Sequence, residues 1–65
     1  MTVNDLETIA MAQSIANEFM GIADNVVEVR RADEPLTAVI VFANQKERKV
    51  VGKLAVDLLR TMRQW

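Results

Sequence analysis

LTAVIVFANQKERKVVGKLAVDLLRTMRQW, residues 36–65, is the stretch on which the fold turns, because a strand must end and a helix must begin within it. Leu36 to Ala43 is apolar apart from Thr37 and rich in β-branched residues on both faces, which predicts a strand. Asn44 followed by Glu47 has the spacing of a capping box, so a helix is expected over 45–64. Val51, Leu54, Ala55, Leu58, Met62 and Trp65 trace one face of it, widened by Val50 and Leu59. On this reading Gly52 sits inside the helix, where glycine costs about 1 kcal/mol relative to alanine. Lys46, Arg48 and Lys49 then crowd the first turn, each opposing the helix dipole by about 0.3–1 kcal/mol.

Upstream, Asn25 to Ala32 alternates, with Val27 and Val29 on one side and Glu28 and Arg30 on the other, as in a half-buried strand. Asp33, Glu34 and Pro35 form the turn into the second strand. A first helix is expected over 4–21, capped by Asn4 with Glu7 and stopped by Gly21. Its apolar residues cover an arc of about 200°, wider than the ~100° stripe that one core face needs. The expected fold is α+β in the order helix–strand–strand–helix, one domain over residues 1–65, with both helices on one face of an antiparallel hairpin. A two-stranded sheet is marginal alone. Pairing the second strand with its symmetry mate would give a four-stranded sheet across a homodimer. Ile15, Phe19, Val39, Val41, Met62 and Trp65 are the expected interface.

Size and composition press the same way. A chain of 65 residues that is 51% apolar has little interior for that surface. It has no cysteine and no histidine, so disulfides, thiolate zinc sites and imidazole ligands are out, and self-association is the remaining support. No apolar run approaches the ~20 residues of a membrane span, and the N-terminus lacks the pattern of a secretory signal. A soluble, cytoplasmic protein without cofactors is expected. The net charge of −1 divides unevenly: −4 over residues 1–24, −1 over 25–43 and +4 over 44–65.

No combination of residues suggests catalysis. Ser14, the single serine, falls on the polar side of the first helix with no histidine to activate it. The carboxylates are scattered, and the two glycines lie 31 positions apart, which rules out a phosphate loop. The one feature that breaks a local rule is the basic turn. Lys46, Arg48, Lys49 and Lys53, with Arg30 and Arg31 near the hairpin turn, are the candidate anion- or partner-binding residues; as plain surface they would be a solvated turn neutralised by Glu47 and Asp24. The expected function is a non-catalytic interaction module that regulates or inhibits a partner protein. One alternative is a nucleic-acid-binding regulator using the basic second helix, although no aromatic residue interleaves with the bases. The element order and length resemble those of the small head–tail joining proteins of lambda-type phages. That resemblance implies a small structural virion component and carries no residue role across, while a separate analogy with small acidic phage accessory proteins implies an inhibitor that occupies a host protein's surface.

Overall fold

The structure, a computed structural model, describes residues 5–62. Helix α1 spans Leu6–Phe19 and is followed by strands β1 (Val26–Arg31), β2 (Thr37–Phe42) and β3 (Glu47–Val51) and by helix α2 (Lys53–Met62). The three strands form one antiparallel sheet in the order β1-β2-β3. The α+β class stands, but the element order is helix–strand–strand–strand–helix. The helix–hairpin–helix order on which the phage resemblance rested is therefore not the order observed.

The correction lies in residues 44–51. Asn44 is not a helix cap. It sits in a tight hairpin loop, where its Oδ1 accepts the Lys46 N–H at 3.1 Å and its Nδ2 donates to Asp24 at 3.1 Å. Gln45 N–H donates to the Phe42 carbonyl at 2.9 Å with Gln45 at φ 70°, and Phe42 N–H donates to the Lys46 carbonyl at 2.9 Å. A turn followed by one left-handed residue is a standard three-residue hairpin connection. Glu47 to Val51 then pair along β2, from Val41↔Glu47 to Thr37↔Val51. Gly52, at φ 75°, is not interior to a helix; it breaks the chain between β3 and α2, and its carbonyl accepts the Val56 N–H at 3.0 Å to open α2.

The third strand takes the edge that had been assigned to a second copy. β2 is flanked by β1 on one side and β3 on the other. It is the central strand, with both edges paired, while on its second face Val39 and Val41 are half-buried. One face of the sheet carries Val26, Val29, Ala38, Ile40, Phe42 and Val50, all buried. Against it pack Ala12, Ile15 and Ala16 of α1 and Ala55, Leu58, Leu59 and Met62 of α2. Both helices thus cover the same face.

Local departures from expectation have local causes. Asp5, not Asn4, caps α1, its Oδ1 accepting the Thr8 N–H at 2.8 Å. The apolar arc of α1 is only partly used: Thr8, Ala12, Ile15 and Ala16 are buried, while Leu6 and Phe19 are exposed at its two ends. Gly21, at φ 66°, ends the helix as expected, with Ile22 N–H donating to the Ala16 carbonyl at 2.9 Å. In β1 the register shifts between Val26 and Glu28, so Val27 is the extra residue of a bulge and is exposed, not inward beside Val29. Gln13 fastens this region. Its Oε1 accepts the N–H of buried Val26 at 2.8 Å and its Nε2 donates to the Asp24 carbonyl at 2.9 Å.

Candidate interaction surface

The face of the sheet away from the helices is organised by strand pairing. Val41 lies between Glu28 and Glu47, and Val39 between Arg30 and Lys49. These valines are half-buried under the longer side chains beside them. Arg30 forms ion pairs with both acids: its Nε lies 3.1 Å from the Glu28 carboxylate without the alignment of a hydrogen bond, and its Nη2 bonds Glu47. Lys49 pairs with Glu34 across from the β1–β2 turn. The participating side chains are 30–61% exposed, so each pair stabilises the sheet by at most about 1 kcal/mol. Two shallow hollows flank this face, one beside Val27, Glu28 and Val41 and the other beside Arg31, Asp33 and Val39.

The six candidate cations are not brought together. Arg30 and Lys49 belong to the neutralised face. Arg31 is on β1, the opposite edge strand, and has a partner of its own. Lys46, Arg48 and Lys53 do share a margin. Lys46 ends the β2–β3 loop, Arg48 is in β3, and Lys53 follows the strand across Gly52 as the first residue of α2. All three are exposed, and no ion pair joins them to a carboxylate among the described residues. The acids that neutralise the sheet's cations are Glu28, Glu34 and Glu47, whereas Asp24 bonds Asn44. The expected cluster of cations at a helix N-terminus is therefore a charged edge strand with one lysine at the start of the helix.

The residues expected at a dimer interface are also dispersed. Ile15 and Met62 are inside the core. Val39 and Val41 are on the helix-free face, and Phe19 is 67% exposed at the end of α1. Trp65 lies outside the described residues. Ser14 is exposed on α1, as expected of a solvated helix residue. Among the described residues no group of three or more acidic side chains could hold a metal ion, and no helix is long and apolar enough to cross a membrane. The chain matches no protein-family model, no curated protein and no solved structure.

Sequence reasoning missed the β3 edge itself. The available signals were the adjacent β-branched pair Val50-Val51 and the glycine after it. Together they mark the end of a strand rather than the middle of a helix.

Proposed function

We propose that this chain is a small non-catalytic interaction module that regulates or inhibits a partner protein, and that the β3 margin makes the contact. One observation carries the reading: Lys46, Arg48 and Lys53 stand exposed along one margin without a described counter-charge, in a chain whose net charge is −1. Positive charge gathered at one place steers and orients an acidic partner. The neutralised sheet face beside it offers no such field.

The test compares wild type with Lys46→Glu/Arg48→Glu/Lys53→Glu as affinity baits in the native host, with and without nuclease. The variant is expected to keep its unfolding free energy to within about 0.5 kcal/mol by denaturant titration, since exposed charges contribute little to folding. It is expected to lose a protein that wild type retains after nuclease. An unchanged set of captured proteins would defeat the reading.

The same three cations favour a second reading, a nucleic-acid-binding regulator, because charges along one margin can track a phosphate backbone. Neutralising about three phosphates would give a slope of about −2.7 for log K against log salt on duplex DNA. Binding of that strength and slope, lost with the same variant, would make nucleic acid the partner.

A further inference from the structure

Resting on the reading of the β3 margin as the partner contact, we infer that the partner supplies an extended acidic segment, which adds to β3 as a fourth strand. The phase of the sheet's hydrogen bonds directs this. Phe42 N–H donates to the Lys46 carbonyl at 2.9 Å, and the pairing continues as Ile40↔Arg48 and Ala38↔Val50. In an antiparallel ladder the hydrogen-bonded pairs alternate, so Lys46, Arg48 and Val50 turn their backbone groups toward β2. Glu47, Lys49 and Val51 turn theirs to the open edge, and all three are exposed. An edge strand of this kind is a template for an added chain.

Side chains select the occupant. Lys46 and Arg48 are two residues apart and point to the same side of the strand, that of Phe42 and Ile40. Acids at alternate positions of an added segment would face them, with an apolar residue falling near Val50. A second copy of this chain is a poor occupant. The antiparallel register that overlaps all five residues of β3 centres on Lys49 and sets that cation against its own copy. Moving the centre to Arg48 repeats the conflict there, and like charges directly opposite are destabilising. Both registers set like charges opposite one another, whereas an acidic chain meets the cations of β3 with opposite charge.

The experiment is an amide NMR titration of the full chain with capped seven-residue peptides at low salt. The probe alternates Glu with Thr and ends in Val. Its controls are a form N-methylated at alternate backbone nitrogens, a scrambled form with the Glu residues contiguous, and a short DNA duplex. Strand addition predicts shifts concentrated at the amides of Glu47, Lys49 and Val51, with slowed exchange there. It also predicts binding about tenfold weaker for Lys46→Glu/Arg48→Glu, whose remaining amide spectrum reports an intact fold. The N-methylated peptide should not bind, because it removes the ladder and leaves the charge. Equal binding by the N-methylated or scrambled peptide would overturn strand addition while leaving the cationic margin as the contact. So would no binding up to millimolar peptide, if the charge-reversed bait still loses its partner protein. Tighter binding of the duplex than of the peptide would overturn both readings.

Discussion

Gly52 has a φ of 75°, yet nothing lies within 4 Å of where its Cβ would sit, so the backbone conformation alone calls for glycine there. A left-handed conformation costs other residues about 1–2 kcal/mol. Gly52→Ala is therefore expected to destabilise the fold by about 1 kcal/mol after the smaller unfolded-state entropy of alanine is counted. An interior helical glycine would give the opposite sign, a gain of about 1 kcal/mol. The urea midpoint of this one variant thus separates a strand–helix junction at residue 52 from a continuous helix. Thr8 offers a second test. It is fully buried, and its hydroxyl has no hydrogen-bond partner among the described residues. An unsatisfied buried polar group costs about 1–3 kcal/mol, whereas an apolar group of the same shape does not. Thr8→Val is expected to raise stability by about 1 kcal/mol, read from the thermal midpoint. A loss would mean that the hydroxyl does find a partner.

In α2 the buried face is the one expected, although the helix begins at Lys53 and not at residue 45. Ala55, Leu58, Leu59 and Met62 are buried at the spacing of one helical face, and the apolar pattern had marked all four. Leu58 is fully buried at the centre of that face. Leu58→Ala is expected to cost about 2–5 kcal/mol, measured by denaturant titration; a loss below about 1 kcal/mol would mean that α2 presents another face to the sheet. β3 is where sequence and structure disagree most. Its burial places a single buried residue, Val50, among four exposed ones. An edge strand with one inward side chain leaves hardly any two-residue alternation to read. Its Lys, Glu and Arg residues are good helix formers, which tipped the local reading toward helix. Tertiary pairing with β2 overrides that preference, because it gives an apolar strand a second neighbour.

For the whole molecule, the argument for a dimer changes once the third strand is counted. A hairpin needed a second copy to complete its sheet, but a three-stranded sheet under two helices closes its core within one chain. Among the described residues the exposed large apolar ones are Leu6, Phe19, Val27, Leu36 and Val51, drawn from both ends of α1, from β1, from the β1–β2 turn and from β3. Scattered exposed apolar residues are ordinary on a small domain. Sedimentation equilibrium at micromolar concentration is accordingly expected to give the 7.3 kDa of one chain. A mass near twice that value would restore the dimer expected from composition, with an interface that does not run through β2.

The sequence by itself determined the α+β class, the buried face of α2, the stop at Gly21 and the first two strands. Each is written in local periodicity or in a residue with a special backbone, and such signals act within a few positions. It also singled out Lys46, Arg48, Lys49 and Lys53, with Arg30 and Arg31, but with Lys46, Arg48 and Lys49 crowding the first turn of a helix that does not begin there. Only the tertiary structure decided that Glu47 and Glu34 pair with Arg30 and Lys49, since those partners meet only through the pairing of separate strands. It likewise decided that residues 47–51 form an edge strand and that Gln13 of α1 ties down Val26. Gln13–Val26 and Arg30–Glu47 are 13 and 17 residues apart in the chain, and the pairing of β3 with β2 reaches from Val41↔Glu47 to Thr37↔Val51, where no short-range pattern decides the outcome.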